Sequence, residues 1–271
     1  MKTSMSFHGK VLILGQDGYL GWALTVYLRS KGIECLGVDN FMRRDNVAKI
    51  GSKSLTPIGK EDRVDEAVDI RQTIRVETLL KNFFPDVIVH FAEQPSAPFS
   101  MRGSYEAVQT QINNIEGTMG LLWAMRKERP NAHLIKLGTM GEYSDWIYED
   151  SPIPESTRMK VLRTDPFLDK NHFLNIPTPR FAGSFYHMSK IFDSYNIVLA
   201  CKMWGLRATD INQGVVYGSK IEAMGEDNRT RLDYDSYFGT AVNRFVVQSI
   251  AGIPLTVYGS GGQTRGYTSV N

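Results

Sequence analysis

Apolar residues along the chain gather in short runs, Val11-Leu12-Ile13-Leu14, Leu36-Gly37-Val38, Val87-Ile88-Val89 and Leu134-Ile135 among them. These runs do not alternate with polar residues, as strands with one wet face would, so each reads as a parallel strand buried on both sides. Between them apolar positions recur at helical spacing over 19–28, 71–84, 105–127, 184–204 and 238–251, and Pro85 closes the second of these stretches. Strand alternating with helix predicts an α/β protein built on a doubly wound parallel sheet. Three segments break the rhythm. Residues 41–64 read as a polar excursion outside the core, and 220–236 as a charged loop. Residues 144–182, punctuated by Pro152, Pro154, Pro166, Pro177 and Pro179, read as an irregular insertion placed to act as a lid. A further strand is expected at 255–259.

Composition narrows the classes. Of 271 residues, 42% are hydrophobic and 22% charged, as in ordinary globular proteins. Lys and Arg number 31 against 29 Asp and Glu, so no basic excess points to nucleic acid. No apolar run approaches the roughly 18 residues that cross a bilayer, and residues 1–10 lack the apolar centre of a signal peptide. The expected setting is the cytoplasm, or a stroma-like compartment if a transit peptide has been removed. Cys35 and Cys201 sit in apolar contexts and read as small buried hydrophobes.

Two motifs carry chemistry. Gly15, Gly18 and Gly21 lie where the first strand gives way to a helix, a place where glycines let backbone approach a pyrophosphate and the helix start faces the anion. Asp39 then closes the second strand, near the position about 20 residues on where a carboxylate accepts ribose hydroxyls. A carboxylate there favours NAD over NADP, although Arg43 and Arg44 follow and could instead serve a 2′-phosphate. The second motif is Tyr186-x-x-x-Lys190, which stacks a phenol and an ammonium one helical turn apart. The fixed cation is expected to lower the phenol's pKa toward the range of a usable base. His90, inside a strand, reads as a core residue.

Glycine loop, strand-ending Asp39, Thr139 and Tyr186-x-x-x-Lys190, in that order, resemble the extended short-chain dehydrogenase/reductase superfamily over nearly the whole chain. Within its nucleotide-sugar branch the chain is most similar to the UDP-sulfoquinovose synthase family. Gly18-Tyr19-Leu20-Gly21-Trp22, Leu137-Gly138-Thr139-Met140-Gly141-Glu142-Tyr143, Asp210-Ile211-Asn212-Gln213-Gly214 and Gly262-Gln263-Thr264-Arg265 carry that likeness.

The resemblance implies a Rossmann domain over 1–217 and the start of a nucleotide-sugar lobe over 218–271, with roughly a hundred residues more in such enzymes. It implies NAD as cofactor, no metal, UDP-glucose and sulfite as substrates, and a homodimer formed through 103–127 and 184–204. Cofactor contacts are implied for Gly15, Asp17, Gly18, Tyr19, Leu20, Asp39, Asn40, Arg43, Asp69, Ile70, Phe91, Ala92, Asn114 and Gln213, besides Tyr186 and Lys190. Thr139, Tyr186 and Lys190 would act on the sugar's C4 hydroxyl. Glu142 and His187 are the candidates for acid and base at C5 and C6, with a structural role for Glu142 equally open. Substrate contacts are implied for Arg102 and His187 at sulfite, and for Asn212, Gln213, Asn243, Arg244, Gln263 and Arg265 at the nucleotide. Dehydratases of the superfamily carry Asp-Glu after the Thr; Met140-Gly141 stands here, which disfavours a 4,6-dehydratase. A UDP-hexose 4-epimerase and a non-catalytic NAD-binding scaffold remain as alternatives.

Overall fold

The computed structural model describes residues 7–58, 63–143, 158–165, 170–177, 180, 182–262 and 266–271. Its elements run β1 Val11–Leu14, α1 Tyr19–Ser30, β2 Cys35–Asp39, α2 Met42–Lys49, β3 Glu66–Ala67, α3 Thr73–Phe83 and β4 Val87–His90. They continue with α4 Ala97–Ser100, α5 Ser104–Gln111, α6 Gly117–Glu128, β5 His133–Leu137, β6 Arg158–Asp165 and β7 Lys170–Pro177. Last come α7 Phe185–Trp204, β8 Arg207–Ile211, β9 Val215–Tyr217, α8 Ala241–Ile250 and β10 Tyr267–Ser269.

Six strands form one parallel sheet in the order β3-β2-β1-β4-β5-β8. β1 lies between β2 and β4, so successive connections leave it in opposite directions and a crevice opens beyond its C-terminal end. Both faces of the sheet are covered, as the apolar runs require. Leu12, Leu14, Ile88 and Leu134 pack with Val76 and Leu80 of α3 and Leu121 and Leu122 of α6. On the other face, Val11, Ile13 and Val89 pack with Leu28 of α1. Among the described helices none is long and apolar enough to cross a membrane.

Three expectations need correction. The supposed excursion at 41–64 contains α2, whose Val47 is buried against Phe99 and Phe238; few apolar residues suffice when one of them meets a core. Part of the insertion at 144–182 is a regular antiparallel hairpin, β6 with β7, because pairing strands do not need the apolar period of a buried sheet. No described residue of that hairpin lines the cavity discussed below. The strand expected at 255–259 is irregular, and it is β10 that pairs, in parallel with β9. The loop expected at 220–236 is present, and part of it is packed: Ile221 and Met224 lie on Trp22 and Ala23, and Arg231 is buried.

Residues 218–230 seat directly on the glycine loop and α1. The indole of Trp22 donates to the Asn228 carbonyl at 3.0 Å, and Tyr19 hydrogen-bonds the Gly218 carbonyl through its hydroxyl. The long helix expected over 105–127 is present as α5 and α6 joined by a π-turn at Ile112–Glu116, which carries Asn113 and Asn114 inward.

Candidate active site

A cavity of about 430 Å³ opens at the C-terminal ends of β1 and β4. Gly15, Gly18 and Gly21 form its floor. Gly15 has φ +91, and a Cβ on it would lie 2.6 Å from the Phe91 carbonyl carbon; on Gly21 it would lie 2.0 Å from the Gly15 oxygen. Only glycine permits that approach of loop, helix and strand. Gly18 caps α1 with no side-chain hydrogen bond, so the first-turn N–H groups are available to an anion.

Asp39 marks the end of β2 on the cavity wall. Its carboxylate accepts from the Asp17 N–H at 3.0 Å and the Phe41 N–H at 2.7 Å. Burial, and next the charge of Asp17, push its pKa up to about 6. Both nearby arginines are committed elsewhere. Arg43 donates to Asp233 at 2.8 Å and lies 4.3 Å over the Phe238 ring, while Arg44 grips the buried Asp17. With their guanidiniums spoken for and a carboxylate at the ribose position, the residues fit NAD rather than its 2′-phosphate form.

α7 delivers the reactive groups. Ser184 caps it by accepting from the His187 N–H at 3.2 Å, and its hydroxyl meets His187 Nδ1 at 3.1 Å. The Tyr186 backbone N–H donates to Ser100 Oγ at 3.0 Å, tying the start of α7 to the end of α4. Tyr186, His187 and Lys190 all line the cavity, together with Thr139 and Met140 from the end of β5. Thr139 Oγ accepts from the Gly141 N–H at 3.1 Å, and the Thr139 side chain lines the same wall as the Tyr186 phenol.

The Tyr186 phenol does not titrate as the sequence implied. Burial raises it, the negative charge of Glu93 raises it further, and Lys136 and the Thr139 hydroxyl only partly oppose them. Lys190 sits 5.6 Å from the ring centre, but its ammonium is held by Glu93 and by the Leu137 carbonyl, the latter at 2.7 Å. A cation neutralised at close range by a carboxylate has little field left for a phenolate.

Of the expected cofactor residues, Gly15, Gly18, Tyr19, Leu20, Asp39, Asn40, Arg43, Ile70, Phe91, Ala92, Gln213, Tyr186 and Lys190 line the cavity. Asp17 does not: it is buried in ion pairs with Arg44 and Arg231. Asp69 lies in a neighbouring depression, paired with Arg71. Asn114 turns away to the Gln94 backbone and Ser189, leaving Asn113 at the wall.

On the substrate side Asn243 and Arg244 are present and Asn212 is not. Arg102, expected at sulfite, does not line the cavity; it pairs with Glu106 and stacks over Tyr237. Glu142 is also absent from the wall. Its fully buried carboxylate meets Arg180 at 2.7 Å and the Ser194 hydroxyl at 3.1 Å, a structural setting. Gln263 and Arg265 lie outside the described residues. Glu93, Pro95, Tyr237, Phe238 and Tyr258 line the cavity and were not anticipated. A charged residue immediately after a buried strand was the available signal for Glu93; the aromatics come from distant segments and gave none.

A dinucleotide fold with Thr, Tyr and Lys converging on its crevice defines the class of extended short-chain dehydrogenases and epimerases. The chain belongs to the NAD dependent epimerase/dehydratase family, whose sequence profile matches residues 11–271. It is 44% identical to the chloroplastic UDP-sulfoquinovose synthase of Spinacia oleracea over 96% of this chain and 55% of that protein. To the UDP-sulfoquinovose synthase of Sulfolobus acidocaldarius it is 41% identical, over 96% of this chain and 68% of the relative. The chain thus spans about half to two thirds of those relatives. Among solved structures, the UDP-glucose 4-epimerase of Thermus thermophilus, determined with NAD, matches in fold with a TM-score of 0.62 at 24% identity, over 96% of this chain and 70% of that one.

Proposed function

We propose that the chain is the NAD-binding and catalytic part of a UDP-sulfoquinovose synthase, which makes UDP-6-sulfo-6-deoxyglucose from UDP-glucose and sulfite. The convergence of Thr139, Tyr186, His187 and Lys190 on a cavity floored by the glycine loop carries this reading, with the two synthase relatives above selecting among the family's reactions. NAD, which the glycine loop, Asp39 and Lys190 would hold, would supply a hydride acceptor and donor for C4 of the sugar. Tyr186, its phenol acidified by the positive charge of the neighbouring nicotinamide rather than by the Lys190 that Glu93 neutralises, would take the C4 hydroxyl proton and later return it, while Thr139 would hydrogen-bond the same oxygen. The resulting 4-ketone acidifies C5, water leaves from C6, and sulfite adds to the 5,6-ene. His187, on the same wall with its Nδ1 3.1 Å from the Ser184 hydroxyl, would move protons at C5 and C6 and face the sulfite anion. Arg244 and Asn243 hold the nucleotide.

The same reading makes the chain a homodimer working in an aqueous compartment, cytoplasmic in our assignment. Val108 and Ile112 beside Phe192, Val198 and Leu199 leave an apolar face on α5, the π-turn and α7, of the kind that marks an interface.

The test is a mass spectrum of the chain incubated with NAD, UDP-glucose and sulfite. A sulfonated UDP-hexose is the expected product. Conversion to UDP-galactose, with sulfite unused, would assign the chain to the 4-epimerases instead.

A further inference from the structure

Behind Lys190 lies a cluster of charges that the reaction scheme leaves unused. Glu93, from the loop after β4, contacts the Lys190 ammonium, and the two side chains are only 2% and 4% exposed. Lys136 of β5 and Asp193 of α7 face each other at 3.8 Å, both fully buried. Burial, and next the Glu93 charge, raise the Asp193 pKa well above its ordinary value. Burial alone would raise Glu93 too, but the Lys190 and Lys136 ammoniums outweigh it and hold it ionised. His90 completes the group, with Nε2 3.2 Å from the Thr118 hydroxyl and its pKa lowered to about 4 by burial. Beneath the cavity floor there is thus a Glu93 carboxylate with the Lys190 and Lys136 ammoniums near it, beside a second buried carboxyl group and the His90 imidazole.

Such a cluster is not a stability device. Each buried ion forfeits several kcal/mol of hydration, and apolar replacements of like volume are often neutral or better. What it does provide is direction. An ammonium has three donors; Glu93 and the Leu137 carbonyl take two of those of Lys190, so the third is aimed by geometry rather than by rotamer chance. Glu93 itself lines the cavity at its base.

We propose that Glu93 is a positioning residue which, through its ion pair, orients the Lys190 ammonium toward the nicotinamide ribose. Lys136 and Asp193, facing each other at 3.8 Å, complete the buried charge around that pair. The inference rests on the cavity being the NAD site and is independent of the sugar or of sulfite. Failure to form a sulfonated product would sink the synthase reading and leave this one standing.

NAD affinity, measured calorimetrically on the chain, on Glu93→Gln, on Lys190→Met and on the double variant, tests it. Each single change is expected to weaken NAD at least tenfold, and the double no more than twofold beyond Lys190→Met alone, because Glu93 acts through the ammonium. Multiplying losses, or an unchanged affinity in Glu93→Gln, would overturn it. If Glu93→Gln does not fold, Glu93→Asp takes its place: the shortened carboxylate should weaken NAD about threefold with Lys190 present and not at all in the Lys190→Met background. A loss that persists without Lys190 would mean that Glu93 only supports the fold.

Discussion

At Tyr186 the decisive quantity is charge in a dry place. Its phenol stands beside a cation whose charge is already answered by Glu93, so spacing alone does not make a base of it. Tyr186→Phe should lower the rate of NAD reduction by UDP-glucose by about 10²- to 10⁴-fold, the usual worth of a positioned acid or base. NAD affinity should change little; stopped-flow absorbance of the reduced nicotinamide checks the rate, and titration with NAD the affinity. Asp39 supplies a pH dependence with a defined sign. Its pKa rises from 3.8 unfolded to about 6 folded. It therefore contributes stability that is present below its unfolded pKa and lost as the pH climbs through about 6. Ribose hydroxyls need the ionised form, so NAD binding runs the other way and should weaken below pH 6 by at most tenfold per pH unit. Titration calorimetry from pH 5 to 8 should show this fall, and Asp39→Asn should flatten it.

Among the elements, the loop from β1 to α1 has no slack. A methyl on Gly21 would meet the Gly15 oxygen at 2.0 Å, and neither backbone can retreat. Gly21→Ala should cost about 3 kcal/mol and abolish NAD binding, as urea unfolding and a binding titration would show. On the far side of the cavity, Arg180 ties the segment before α7 to the buried Glu142. Arg180→Ala would strand that carboxylate and should cost about 3–5 kcal/mol, with part recovered in Arg180→Ala/Glu142→Gln, since the amide carries no charge. Partial restoration of the melting transition in the double variant is the readout. These two elements were unequally legible. Three glycines at a strand-to-helix junction announce a close approach, whereas Glu142 looked as much like a catalytic acid as a structural one until Arg180 and Ser194 were seen around it.

For the whole molecule, the proposed dimer turns on one apolar face. Val198 and Leu199 of α7 are 61% and 57% exposed in a helix whose other side is packed. Val198→Glu with Leu199→Glu should convert a dimer to monomers in light scattering and leave the NAD site intact. The chain itself determined the sheet, because runs apolar on both sides can be buried only in a parallel layer between helices. It also determined the nucleotide loop and the order of Thr139, Tyr186 and Lys190, since glycine geometry and helical spacing are local properties. Only the tertiary structure decided that Glu93 answers Lys190, that Arg102 and Glu142 stand outside the cavity, and that α2 belongs to the core through Val47. Those outcomes are set by partners distant along the chain, and the range of an electrostatic or packing contact is measured in space.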